Sequence, residues 1–322
     1  MGAGWICNTG NGLPGSRCRY PGNVCPATGL RGFDVSGEAL NWQLHGLNYA
    51  GLAWGDPTHS PLLALHGWLD NATSFQRLAE QLASGYYVVA PDLSGHGLTD
   101  WRSADATYHI YDDVPQLHAL VEHMQWDSFT LMGHSRGAAI SVMYAAAFPE
   151  QVTRLILLDG ATPTPLDASE FAHQLRNFVL EKRRLQGRQT RVYSDREAAI
   201  TAREEQGLDR EEAELIASRN LHACEGGYTW HTDPRLRGGS AIKLTWGHIE
   251  AALGALSMPT LLLQAERGMM TRHEGYSEKI RAMIPRPTLA QFPGGHHFHM
   301  EAGAEHLGTE IIRFSTEEGA NA

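Results

Sequence analysis

The 322-residue chain has only four cysteines, and no two of them form a Cys-x-x-Cys pair. Zinc ribbons and thioredoxin-like redox centres need such pairs, because two close thiolates must share a metal or close a disulfide. Cys7, Cys18 and Cys25 lie in a Gly- and Pro-rich head and Cys224 stands far away, so free thiols are expected. No run of eighteen apolar residues occurs, which argues against a membrane-spanning helix. The start lacks a positively charged stretch followed by an apolar one, so no secretory signal is expected and the expected location is the cytoplasm. Positive charge is also scarce: 26 Lys and Arg against 36 Asp and Glu leave a net charge of -10. Without a basic stripe to neutralise phosphates, nucleic acid is excluded as a partner. The densest basic stretch, residues 182–191, is broken by Leu185 and followed by an acidic block, so it reads as a solvated helix face.

With 42% hydrophobic residues, a chain of this length can bury a large core, as one big domain or one domain with an insertion. Residues 1–32 show no period of 2 or 3.6 and read as a poorly ordered extension outside the fold. From residue 33 the pattern changes. Residues 40–45 and 47–54 alternate as an antiparallel hairpin would. Short apolar runs at 61–66, 86–90, 129–133 and 152–158 read as buried strands, with helices expected at 74–82, 108–125 and 138–147 between them. Pro115 marks a start or a kink within the second of these. The alternation stops at Pro163 and Pro165, gives way to helical, charged sequence (171–185, 195–205 and 210–219) to about residue 246, then resumes with strands at 259–265 and 288–292 and helices near 274–284 and 302–314. The expected fold class is therefore α/β, a mostly parallel, doubly wound sheet. Residues 33–162 and 247–322 would form its core, and 163–246 an inserted helical cap.

One stretch carries chemistry. Leu131-Met132-Gly133-His134-Ser135-Arg136-Gly137 joins a β-prone run to a helix of small and apolar residues. In a strand-turn-helix, G-x-S-x-G forms a nucleophile elbow: the turn is so sharp that glycines two positions either side must remove colliding Cβ atoms, leaving the Ser135 hydroxyl above the strand end. In a chain with 34 glycines the motif alone could arise by chance. A serine hydroxyl also needs an imidazole to take its proton and a carboxylate to hold that imidazole in one tautomer. In chain order the histidine should follow the last strand. The only close histidine cluster, in Gly294-Gly295-His296-His297-Phe298-His299, stands there. A metal-binding tract would need further ligands at helical or hairpin spacing, which the sequence does not supply, so no metal and no organic cofactor is expected.

These features together resemble the α/β-hydrolase fold and, more narrowly, the serine hydrolase-like proteins. The likeness rests on His66-Gly67-Trp68-Leu69-Asp70-Asn71, Asp92-Leu93-Ser94-Gly95-His96-Gly97, Gly133 to Gly137, the segment Gly227-Tyr228-Thr229-Trp230-His231-Thr232-Asp233-Pro234-Arg235-Leu236, and residues 294–301, and covers about residues 38–315. The resemblance implies that His296 is the base, with Glu301 five residues later opening the final helix. It implies that the backbone amides of Trp68 and Arg136 bind the oxyanion. The triad acid departs from the family pattern, because Gly268 stands where an Asp would be expected in the segment Ala265-Glu266-Arg267-Gly268. Two carboxylates remain, Glu266 at the end of the same strand and Asp159 at the end of the preceding one, and Glu266 is preferred narrowly. His66, Asp70 and His134, beside the presumed site, and Tyr228 and Trp230 in the cap are weaker candidates for the substrate pocket; structural roles compete at each.

The expected activity is hydrolysis of a small-molecule carboxylic ester through an acyl-enzyme. Lactone, thioester or carbon-carbon bond hydrolysis on the same triad is an alternative. So is a non-catalytic ligand-binding protein on this fold, which the absent aspartate at 268 makes worth weighing.

Overall fold

The computed structural model describes residues 35–317. The expected extension at 1–32 and its three cysteines lie outside that range. Within it the chain runs β1 (Glu38–Leu44), β2 (Leu47–Trp54), β3 (Ser60–Leu65), α1 (Gln76–Leu82), β4 (Tyr86–Pro91), α2 (Val114–His123), β5 (Phe129–His134), α3 (Arg136–Ala147) and β6 (Val152–Leu158). An insert follows, with α4 (Phe171–Leu185), β7 (Val192–Tyr193), α5 (Arg196–Glu204), α6 (Arg210–Asn220), β8 (Leu221–Cys224) and β9 (Gly227–Trp230). The chain then completes the main body with α7 (Trp246–Gly254), β10 (Thr260–Arg267), α8 (Tyr276–Met283), β11 (Pro287–Gly295) and α9 (Glu305–Glu317).

Eight strands form one sheet in the order β1-β2-β4-β3-β5-β6-β10-β11. β2 pairs antiparallel with β1 and β4, and every pairing from β4 to β11 is parallel. The apolar runs of the central strands are continuous because both faces are covered: side chains alternate across a strand, so Leu63 and Leu65 enter one core and Leu62 and Ala64 the other. α2, α3, α7 and α8 close the first face, and α1 and α9 the second through Leu78, Leu82, Leu307 and Phe314. Pro115 sits in the first turn of α2, where its missing N–H costs no intrahelical bond.

The insert is less purely helical than its sequence suggests. It carries a small antiparallel sheet, β7-β9-β8, and a core of its own around Ile200, Leu215 and Ile216, against which Met300 of the main body packs. α4, whose bounds the sequence pattern anticipates, buries only Leu185.

Parallel order places five C-terminal strand ends side by side. β3, β5, β6, β10 and β11 are consecutive neighbours ending at Leu65, His134, Leu158, Arg267 and Gly295. The loops that follow therefore open on one edge of the sheet, where open α/β folds place their sites.

Candidate active site

Ser135 is the first residue beyond β5, with φ 52° and ψ -112°. A non-glycine residue held there costs about 1–3 kcal/mol, so its surroundings must enforce it. They do so by close approach: a Cβ on Gly137 would lie 2.0 Å from the Leu65 carbonyl oxygen, and one on Gly133 would lie 2.5 Å from that of Gly137. The Ser135 amide donates to the Leu158 carbonyl at 3.1 Å, which fixes the turn against the end of β6.

His296 follows β11 directly. Its Nε2 lies 2.9 Å from Ser135 Oγ and its Nδ1 lies 2.6 Å from Asp159 Oδ2. A carboxylate only accepts, so Nδ1 carries the proton and Nε2 is left to accept from the serine hydroxyl. Burial lowers the His296 pKa below the ordinary 6.5 despite the opposing pull of Asp159, so the neutral base form prevails at neutral pH. The loop is held at both ends: His134 Nε2–H donates to the His296 carbonyl at 2.9 Å, and Glu301 Oε1 accepts from the Gly295 amide at 2.8 Å.

The narrow preference for Glu266 as the acid is overturned by this geometry. β10 shifts register against β11 between Ala265 and Arg267, and the Glu266 side chain is exposed. Asp159, the first residue after β6, is fully buried with φ 42°, a left-handed conformation that Asp tolerates better than most residues. Burial alone would raise its pKa. The hydrogen bond from His296 and backbone amides at the end of β10 outweigh that effect and lower it, with Met269 N at 2.6 Å and Ala265 N at 3.3 Å. Gly268 explains the departure from the family pattern. A Cβ there would lie 2.2 Å from Asp159 Oδ1, so the space that a side chain at 268 would occupy is filled by the carboxylate of 159.

The pocket roles considered for His66, Asp70 and His134 are also overturned, because all three side chains are shut off from solvent. His66 Nδ1–H donates to the Gly67 carbonyl at 2.7 Å and its Nε2 accepts from the Leu93 amide at 2.9 Å, tying two loops together as a neutral imidazole. Asp70 lies beneath the site, 3.5 Å from His134 Nδ1, 3.3 Å from His297 Nε2 and 3.4 Å from Arg203 Nη2 of the insert. His299 packs against His134 with ring centroids 4.2 Å apart. Sequence spacing gave the histidine tract no further ligands, yet the fold brings Asp70, His134 and His297 together with ligand-capable atoms within 4.8 Å of one another. By donor type the set could hold a divalent cation. Arg203 already shares the one carboxylate, so Asp70 links the histidine loop to the insert by close charge contacts.

Arg136 follows Ser135 directly in the chain, and Trp68 lies in the loop after β3. Arg136 opens α3, so its amide has no intrahelical acceptor, while its side chain turns away to Asp113 Oδ2 at 3.0 Å. The Trp68 ring is 45% exposed and donates from Nε1 to the Leu236 carbonyl at 2.9 Å. Trp230 lines a cavity of the insert, whereas Tyr228 packs against the insert's core. Buried ion pairs between the insert and the main body were not legible in sequence. Arg219 Nε to Asp92 Oδ2 at 2.8 Å is one, and its partners lie 127 residues apart. Among the described residues no helix is long and apolar enough to cross a membrane.

Comparison with known proteins agrees with the geometry. The family profile of the alpha/beta hydrolase fold matches residues 60–303. The chain is 32% identical to serine hydrolase-like protein 2 of Homo sapiens, over 82% of this chain and 90% of that one. It is 30% identical to a serine hydrolase-like protein of Dictyostelium discoideum, over 85% and 80%. Among solved structures, a hypothetical protein of Pseudomonas aeruginosa superposes with a TM-score of 0.81 at 35% identity, covering 88% of this chain and 99% of that chain. On the fold, the elbow and these matches, the chain belongs to the α/β-hydrolase family, in its serine hydrolase-like group.

Proposed function

We propose that the protein hydrolyses carboxylic esters through an acyl-enzyme formed on Ser135. The observation that carries this reading is the line of hydrogen bonds from Ser135 Oγ through His296 to Asp159, at 2.9 and 2.6 Å. Ser135 Oγ attacks the ester carbonyl as His296 Nε2 takes its proton. Asp159 holds the imidazole in the required tautomer and stabilises the imidazolium. The amides of Trp68 and Arg136 receive the developing oxyanion, each worth roughly 10² to 10³ in rate. The imidazolium returns its proton to the leaving alcohol. Water, deprotonated by the same nitrogen, then attacks the acyl-enzyme and frees Ser135.

The carboxylate of Asp159 at His296 removes the observation that motivated a ligand-binding alternative, namely an aspartate missing at 268. A fluorophosphonate probe should label the protein, and Ser135→Ala should abolish labelling and lower kcat by about 10⁶. Steady ester turnover by Ser135→Ala would refute the mechanism.

A further inference from the structure

The insert and the loop after β3 line an open cavity of about 420 Å³. Leu69, next to the Trp68 amide, forms its wall on the loop side, and Arg188, Arg191, Arg203 and Arg237 stand on the insert side. Their partners decide what the cavity can hold. The one acid on the wall, Asp233, is already committed: Arg235 Nη2 lies 2.7 Å and the Tyr108 hydroxyl 2.6 Å from its Oδ2. Among the described residues, no carboxylate lies within ion-pair distance of Arg188, Arg191 or Arg237. Two of these guanidiniums rest on aromatic faces instead, Arg191 on Tyr193 at 4.7 Å and Arg237 on Trp68 at 5.5 Å. A cation seated on a ring keeps its N–H edge available to an acceptor.

Arg203 differs from the other three in being only 6% exposed. Its Nη2 donates to the Leu69 carbonyl at 3.1 Å and pairs with Asp70 Oδ1 at 3.4 Å, its Nη1 donates to Gln206 Oε1 at 3.1 Å, and Nε is buried without a partner. Burial, with repulsion from Arg237, lowers its pKa from the usual value against the opposing pull of Asp70. In a chain of net charge -10, this wall gathers like charges that repel one another and leaves one buried donor unmet. An anion in the cavity would offset that repulsion.

We propose that the cavity binds an anionic substituent, a carboxylate or a phosphate, of the ester or thioester cleaved at Ser135. As a substrate assignment this rests on the hydrolase reading above. The anion has two possible sources, the far end of the acyl chain or the leaving group. Arg237, stacked on Trp68, would hold it beside the residue whose amide faces the oxyanion.

Two matched substrate pairs separate the sources. The p-nitrophenyl monoester of suberic acid against p-nitrophenyl octanoate tests an anionic acyl chain. Butyryl-coenzyme A against the butyryl thioester of N-acetylcysteamine tests an anionic leaving group. At least one charged member should be preferred about ten-fold or more in kcat/KM. That ratio should fall toward unity in the Arg191→Gln/Arg237→Gln double variant and as salt rises toward 1 M, where charges are screened within ~3 Å. Binding of suberate and coenzyme A to Ser135→Ala, followed by calorimetry, reads the cavity without the chemistry and should weaken with the same two substitutions. Charged and neutral members turned over within about three-fold of each other, in a Ser135-dependent way, would overturn the proposal and leave the hydrolase reading intact. No turnover and no probe labelling, with arginine-dependent binding of either anion retained, would overturn the hydrolase reading and leave the anion site standing.

Discussion

At the scale of single residues, the decisive question is which carboxylate orients His296. Asp159 contacts Nδ1 at 2.6 Å and is buried, whereas Glu266 points to solvent. Asp159→Asn should therefore lower kcat by about 10⁴, because an amide that donates to Nδ1 imposes the wrong tautomer. Glu266→Gln should stay within about three-fold of wild type; equal losses in the two variants would count against the assignment. The pH profile carries a second expectation. Protonated His296 cannot accept the serine proton, so kcat/KM should rise with pH along an acidic limb whose midpoint lies below 6.5, the direction in which burial moves this imidazole. A midpoint above 6.5 would mean that Asp159 outweighs desolvation. Ser135 and the histidine loop were legible because their spacing is local and the glycines around them have a geometric cause. The acid was not: Asp159-Gly160 also reads as an ordinary turn, and only contact with residue 296, 137 positions away, distinguishes it.

At the scale of elements, β6 and β10 are adjacent parallel strands whose ends present interchangeable positions for one carboxylate. In this chain Asp159 reaches across from β6 into the space above Gly268, which follows β10. Asp159→Gly should cost activity on the scale of Asp159→Asn with little backbone strain, since φ 42° suits glycine. Adding Gly268→Asp to that variant should recover kcat by ten-fold or more (order of magnitude), because the new side chain enters the vacated space. A double variant no more active than Asp159→Gly would show that the two strand ends are not equivalent. The long elements were legible from their periods, α4 to its bounds. The three short strands of the insert were not, since runs of two to four residues carry too little alternation to register. Only the paired glycines Gly226, in the turn after β8, and Gly227, which opens β9, both at positive φ, hint at the hairpin.

At the scale of the whole molecule, the histidines decide how stability responds to acid. His66, His96 and His299 are completely buried, and burial lowers all three pKa values below the ordinary 6.5. Between their folded values and 6.5 the unfolded chain binds protons that the folded chain does not, so stability is full above 6.5 and declines as pH falls below it. Glu212 acts in the opposite sense. Burial raises its pKa to about 7, so between 4.5 and 7 the folded state binds the extra proton and this group favours acid. Burial lowers the pKa of His109, His222, His231 and His296 as well, so the imidazoles outweigh this one carboxyl: Tm should fall as pH is lowered from 7 toward 5, and unfolding at pH 5.5 should take up protons in calorimetry. A Tm that rises over that interval would show that the buried imidazoles charge in the folded state.

The sequence by itself determined the α/β class, the elbow at Ser135 and a histidine loop after the last strand, because each depends on residues close in the chain and on backbone sterics that glycine spacing reports. The tertiary structure alone decided the acid, the burial of His66, Asp70 and His134 beneath the site, and the arginine wall of the insert. Those depend on which strand ends become neighbours and on how the insert docks, and side chains more than a hundred residues apart leave no local pattern to read.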